Sequence, residues 1–158
     1  MRAIVFSDSH KNLNNMIPIV EANIGHADYI FHLGDCVSDF EDLRACYPMF
    51  KIEGVCGNND WRANGITDLI LTVGNHRVFM THGHLYDVKV TLARLLRKAK
   101  EVEADVLLYG HTHVPFCRTI DGILVMNPGS ISRPSLGKAS FGSLDFLESS
   151  VVGNITEI

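Results

Sequence analysis

Five short clusters of acidic, amide and imidazole side chains punctuate this chain: Asp8-Ser9-His10, Gly34-Asp35, Gly57-Asn58-Asn59-Asp60, His82-Gly83-His84 and Gly110-His111-Thr112-His113. Five of the eight histidines fall in three of them. Seven side chains (Asp8, His10, Asp35, Asn58, His82, His111 and His113) offer carboxylate oxygen, amide oxygen or imidazole nitrogen, and no thiolate. That chemistry suits hard-to-borderline divalent ions such as Mn²⁺, Fe²⁺, Ni²⁺ or Zn²⁺. Seven donors exceed what one ion needs. Shared between two ions ~3.5–4 Å apart, with one carboxylate bridging, such a set activates a water and stabilises a leaving oxygen. Singly, each cluster is weak, because Asp-x-His also serves as a cap beside a surface histidine and Gly-Asp is an ordinary turn. Their joint placement carries the weight: every one follows a strand-like run, and in open α/β sheets ligand sites gather beyond the carboxyl ends of strands.

The elements that must position these clusters read as follows. Arg2–Ser7, Asp28–Leu33 and Phe50–Cys56 are compact apolar runs suited to buried strands. Helical spacing through Leu13, Ile17, Val20 and Ile24 predicts a helix over Leu13–Ile24, and a short helix is expected over Phe40–Tyr47. This βαβαβ order predicts parallel pairing with helical crossovers. Gly74-Asn75 between Asp68–Val73 and His76–Thr81, and Asp121-Gly122 between Phe116–Ile120 and Ile123–Met126, are two-residue hairpin signals. Asp105–Tyr109 is a further apolar strand, and Ala139–Leu147 with Val151–Ile158 forms a closing β-pair. Val88–Glu103 is the clearest helix, with Asp87 as N-cap and Val88, Leu92, Leu95, Leu96, Ala99 and Val102 as one stripe. Its Lys89, Arg94, Arg97, Lys98 and Lys100 are expected to form a solvated face rather than a nucleic-acid surface.

A chain of 158 residues fits one domain, 1–158, able to bury roughly 70% of its unfolded surface. The formal charge of −4 disfavours nucleic acid, which requires clustered positive charge, although bound divalent ions would reverse the local potential. No apolar run approaches the ~18 residues that span a bilayer, so no membrane contact is expected. Met1–Ser7 runs into a strand-like stretch instead of a secretory leader, and Cys36, Cys46, Cys56 and Cys117 form no CxxC pair. Free, mostly buried thiols in a reducing cytoplasm are the expectation.

In this order, DSH, GD, GNND, THGH and GHTH resemble the motif set of the calcineurin-like metallophosphoesterases. The short length and the later Asn127-Pro128-Gly129-Ser130 resemble the small branch typified by the bacterial YfcE-type phosphodiesterases. The resemblance runs from Arg2 to Ser130, and the terminal hairpin fits it. It implies a four-layer α/β/β/α sandwich of two mixed sheets flanked by helices. It also implies a division of donors: Asp8, His10 and His113 for a first ion, Asn58, His82 and His111 for a second, Asp35 bridging. Mn²⁺ is the first choice of metal, with Ni²⁺, Fe²⁺ or Zn²⁺ as alternatives. The reaction implied is in-line attack on phosphorus by a hydroxide shared between the ions, on a small phosphate ester. Ligand imidazoles must be unprotonated, so activity is expected to fall in acid.

The chain departs from many larger members at Asn59, where they carry a histidine after the metal-binding Asn. Asn59 cannot donate a proton as an acid does, and His84 is the substitute candidate, beside the plainer role of bonding a neighbouring loop. Asp60 is expected to orient a ligand or the loop. His26, His32 and His76 are expected at the surface or in packing, and Cys36 and Cys56 as small buried groups. Asn127-Pro128-Gly129-Ser130 is expected to brace the metal loops. Trp61 and Arg62 either border a substrate or anchor their loop. With only Lys11 and Arg62 near the motifs, a diester is favoured over a monoester. The rival from another class is a protein-binding scaffold on the same fold, as in the retromer subunit; the complete donor set weighs against it. The hairpins and apolar terminal strands leave room for a homo-oligomer without requiring one.

Overall fold

The computed structural model describes residues 1–60 and 65–158. Trp61 and Arg62 lie outside the described residues. Among the described residues ten strands form two five-stranded sheets. The first has the order β10-β9-β1-β2-β3, from Val151–Glu157, Ser140–Phe146, Arg2–Phe6, Tyr29–His32 and Lys51–Gly54. The second has the order β4-β5-β6-β8-β7, from Asp68–Val73, His76–Thr81, Val106–Leu108, Ile123–Asn127 and Phe116–Ile120. β1, β2 and β3 run parallel, with Ala3 opposite Tyr29 and Ile30 opposite Ile52; β9 and β10 are antiparallel additions. In the second sheet β5, β6 and β8 are parallel, while β4 and β7 are antiparallel edges.

The layering follows from side-chain alternation along strands buried on both faces. In β1, Ala3 and Val5 enter the core between the sheets, while Ile4 and Phe6 enter a second core under α1 (Met16–Ala22) and α2 (Val37–Cys46). In the second sheet, Val78, Met80, Val106 and Leu108 meet the first sheet. Phe79 and Leu107 turn outward into a third core under α3 (Ala93–Glu101), against Leu95 and Ala99. Three cores between four layers make the α/β/β/α sandwich that the motifs implied.

Both hairpin signals form their turns. Asp121 and Gly122 both have positive φ, as a type I′ turn requires. Three helix boundaries differ from expectation. Leu13–Asn15 is a 3₁₀ turn, with α1 confined to Met16–Ala22, and α2 begins three residues before Phe40, at Val37. α3 begins at Ala93, and Asp87 is not its cap: Asp87 is left-handed (φ +57) and its carboxylate pairs with Arg94. Val88 and Leu92 continue the apolar stripe because both pack into the third core, although their backbone is not α-helical. The basic face of α3 is solvated as expected, with Arg94, Lys98 and Lys100 each paired to a carboxylate. All four cysteines are free; Cys36 and Cys56 are buried, Cys117 is half-buried and Cys46 is exposed. Among the described residues no helix is long and apolar enough to cross a membrane.

Candidate metal centre

The five clusters occupy the loops immediately beyond the carboxyl ends of β1, β2, β3, β5 and β6, and so meet at one end of the sandwich. The backbone there is unusual. Asp8, His10, Asp35, His111 and His113 all have φ between +48° and +66°, a region non-glycine residues seldom adopt. Such conformations cost roughly 1–3 kcal/mol each and persist only where surrounding bonds enforce them. Those bonds are present: the Asp8 and His10 N–H groups donate to the Gly34 and Asp35 carbonyls at 3.1 Å each, tying the β1 loop to the β2 loop. Gly57 lies so close to Asp35 that a Cβ there would collide with its carboxylate.

Asp8, His10, Asp35 and His113 place ligand atoms within 4.8 Å of one another. His82 joins from the second sheet, with Nε2 3.4 Å from Asp35 Oδ1, 3.9 Å from Asp8 Oδ1 and 3.2 Å from the Asn58 amide oxygen. His111 packs its ring edge-on to His82, centroids 5.0 Å apart, and its backbone N–H donates to Asp8 Oδ2 at 3.2 Å. The seven sequence candidates therefore converge on one region.

Second contacts aim the rings. His82 Nδ1 lies 2.6 Å from the Leu33 carbonyl, and His113 Nδ1 lies 2.6 Å from the Arg133 carbonyl. A carbonyl only accepts, so each Nδ1 carries the proton and each Nε2 turns a lone pair inward. This is the second-contact pattern that fixes the tautomer of metal-binding histidines. What converges is thus a set of acceptors with few donors between them. Asp8 Oδ1, fully buried, has no well-formed hydrogen bond although His113 Nε2 stands 3.0 Å away. A buried carboxylate oxygen left unpaired is costly, and a cation between these atoms would resolve both features.

Burial alone would raise the Asp8 carboxyl, but the facing His113 and His82 imidazoles and the Ser7 hydroxyl outweigh it and hold it below its ordinary value. His113 is raised, chiefly by its contact with Asp8. Burial lowers His10 and, with His82 nearby, pushes His111 down to about 4, which keeps that imidazole neutral at ordinary pH.

Supporting residues are equally specific. Asp60 Oδ2 accepts from the N–H groups of Asp35, Cys36 and Gly57, and Oδ1 accepts from Val37, so one carboxylate caps α2 and fixes the Asp35 loop. Asn59 donates to both Asp35 oxygens, from its backbone N–H at 2.9 Å and its amide at 2.5 Å. Ser130 and Ser132 hydroxyls donate to the Asp8 carbonyl, and the Asn127 amide donates to the Gly110 carbonyl; the Asn127–Ser130 segment braces the metal loops as expected. The His84 ring lies tilted against His82, centroids 5.4 Å apart, its Nδ1 buried and without a partner among the described residues.

His26 is exposed and His76 packs at the sheet end with its Nε2 donating to the Leu147 carbonyl, both as expected. His32 does more than fill space. It is fully buried, accepts from the Gly34 N–H on Nδ1, and meets the Ser9 hydroxyl with Nε2 at 2.9 Å. Sequence reasoning also passed over Arg133. It lines, with Lys11, a cleft of about 620 Å³ that opens beside His10 and Asp35. The one available signal was its position three residues after Ser130.

Residues 1–149 match the family model described as a calcineurin-like phosphoesterase superfamily domain. The chain is 31% identical over 148 residues to the probable metallophosphoesterase YsnB of Bacillus subtilis, covering 94% of this chain and 85% of that protein. It is 32% identical over 165 residues to a phosphodiesterase of Methanocaldococcus jannaschii, covering 92% and 93%. A crystal structure of a predicted phosphoesterase from Streptococcus pneumoniae superposes with a TM-score of 0.82 at 32% identity, covering 99% of this chain and 88% of that one.

Proposed function

The chain belongs to the calcineurin-like phosphoesterase superfamily and is a phosphate-ester hydrolase, and from that premise we propose that it is a phosphodiesterase working with two divalent ions. The observation that carries this reading is the convergence of inward-facing acceptors around the unpaired, buried Asp8 Oδ1. Asp8, His10 and His113 would hold one ion and Asn58, His82 and His111 the other, with Asp35 between them. Mn²⁺ is the favoured occupant, and oxygen and imidazole donors also suit Ni²⁺, Fe²⁺ and Zn²⁺. When bound, such ions lower the pKa of water and neutralise charge on the phosphoryl group.

The chain's own residues supply the rest. Asn59 clamps both oxygens of Asp35, and Asp60 fixes the loop beneath it. Neither is placed to give up a proton. His84, at the rim beside His82 and His111, is the candidate proton donor to the leaving oxygen. The proposed unit is a single domain over residues 1–158 acting on a small ester, and free thiols suit a reducing cytoplasm. A monoesterase is the second reading, favoured by the cations Lys11 and Arg133 in the adjoining cleft. A protein-binding scaffold would have no need of seven converging donors.

The test is hydrolysis of bis(p-nitrophenyl) phosphate and p-nitrophenyl phosphate after chelation, then with Mn²⁺ restored. Metal-restored turnover, faster on the diester, is expected. Turnover that survives chelation would refute a metal-dependent reaction, and faster monoester cleavage would favour the second reading.

A further inference from the structure

Several basic side chains lack a carboxylate partner among the described residues, and of these Lys11 and Arg133 line the cleft beside His10 and Asp35. Arg2, Arg44, Arg94, Lys98 and Lys100 each pair with a carboxylate. Among the described residues neither Lys11 nor Arg133 does, and both are exposed on the wall of the cleft that opens from His10 and Asp35. Lys11 is fixed at its backbone, where the N–H donates to Asp39 Oδ2 at 3.0 Å and φ is +63°. Arg133 is fixed likewise: its N–H donates to the Ser130 hydroxyl at 2.7 Å and its carbonyl receives His113. Both main chains are thus held in place beside the candidate site, while among the described residues neither charged end pairs with a carboxylate.

The carboxylates nearby do not cancel them. Asp60 is taken up by four backbone N–H groups, and Asp35 is clamped by Asn59. Among the described residues, only Glu41, exposed on the α2 side of the cleft, opposes the two cations without a partner of its own. At about 620 Å³ the cleft lies within the usual size range of small-molecule sites, far more than a single phosphoryl group occupies.

We propose that this cleft receives one arm of the ester, and that Lys11 and Arg133 select substrates whose arm carries a second anionic group, a carboxylate or phosphate, beyond the scissile phosphoryl. The inference rests on the phosphoesterase reading of the metal centre and extends it to substrate class. Charge-assisted contacts from a lysine and an arginine to an anion hold the arm, and their absence leaves a neutral arm without recognition. Ser38 and Glu41, which also line the cleft, would favour hydroxyl or amine groups on the arm.

The test uses Mn²⁺-loaded protein and two phosphate esters of similar size, 2-phosphoglycolate and ethyl phosphate, which differ in a carboxylate. Calorimetry is expected to show phosphoglycolate binding about tenfold tighter, as two weakly screened charge contacts would give. In the double variant Lys11→Met with Arg133→Met the ratio should fall toward one, and in Glu41→Gln it should rise. A ratio unchanged in the double variant would overturn the proposal. So would an equal loss for both ligands, which would place the cations on the scissile phosphoryl itself. If neither ester binds and bis(p-nitrophenyl) phosphate is not turned over, the phosphoesterase reading fails and takes the proposal with it. If the diester is cleaved but the ratio does not respond, only the proposal fails.

Discussion

The two sheets contribute different chemistry to the proposed metal centre. Loops after β1, β2 and β3 supply Asp8, His10, Asp35 and Asn58, and so every oxygen donor; loops after β5 and β6 supply only imidazoles, from His82, His111 and His113. Their support differs too. The first sheet's donors are held by Asp60, Asn59 and the bonds between the β1 and β2 loops, and Asp8 is tied besides to the His111 N–H and the Ser130 and Ser132 hydroxyls that follow strands of the second sheet. His82 is aimed by the carbonyl of Leu33, which directly follows β2 of the opposite sheet. The first sheet thus carries the anionic half of the proposed centre, which would be complete only once the second sheet docks. Docking is driven by the apolar core between the sheets, so packing and chemistry are linked through one interface.

Perturbing each side should show this asymmetry. The largest effect is expected for Asp35→Asn, which removes the charge shared across the site: kcat/KM should fall on the order of 10³-fold or more with the melting profile retained. Unimpaired turnover would mean that Asp35 does not join the two halves. Asp60→Ala should be next, lowering Mn²⁺ affinity by roughly 10–100-fold. The same change should lower stability by ~2 kcal/mol, because it uncaps α2 and strands several N–H donors. Titration calorimetry and denaturant unfolding read the two effects separately, and a loss of stability without loss of metal would confine Asp60 to the helix cap.

A third expectation concerns pH. Burial pushes His32 down to about 4, so between its ordinary value and about 4 the unfolded chain takes up a proton that the fold excludes. Stability from this residue is intact above pH ~6.5 and is lost as pH falls toward 4, by at most about 3 kcal/mol. His32→Gln should flatten that slope in urea unfolding measured across the interval; an unchanged slope would assign acid sensitivity to other groups. The smallest effect is expected at the periphery. Asp87→Ala breaks an exposed pair with Arg94 and should cost about 0.5 kcal/mol or less without touching turnover. A larger loss would show that the turn before α3 supports the His82 loop.

The difference between the sheets also explains what the sequence disclosed. Donor clusters after strands were legible because strand runs buried on both faces are continuous and apolar, and a glycine or polar break marks where each ends. The layer order was implied by the family resemblance and follows physically from alternation in β1, where Ala3 and Val5 face one core and Ile4 and Phe6 another. The start of α3 was not legible, since Val88 and Leu92 satisfy helical spacing and reach the same core from a non-helical backbone. His32 was hidden for a related reason. Its neighbours Tyr29 and Phe31 face the inter-sheet core, while His32 points to the helix side, against Phe40 and Ser9. Arg133 was invisible because its place beside Lys11 is set by contacts more than a hundred residues apart in sequence, from Ser130 and Ser132 to Asp8.

The central claim is that docking of an oxygen-rich half-site against an imidazole-rich one creates room for two ions. The most direct measurement is the stoichiometry of Mn²⁺ bound per chain, by calorimetry after chelation, in the parent protein and in His10→Ala and His82→Ala. Two ions in the parent, and one in each variant, are predicted. A single ion in the parent, or two retained when either imidazole is removed, would contradict it.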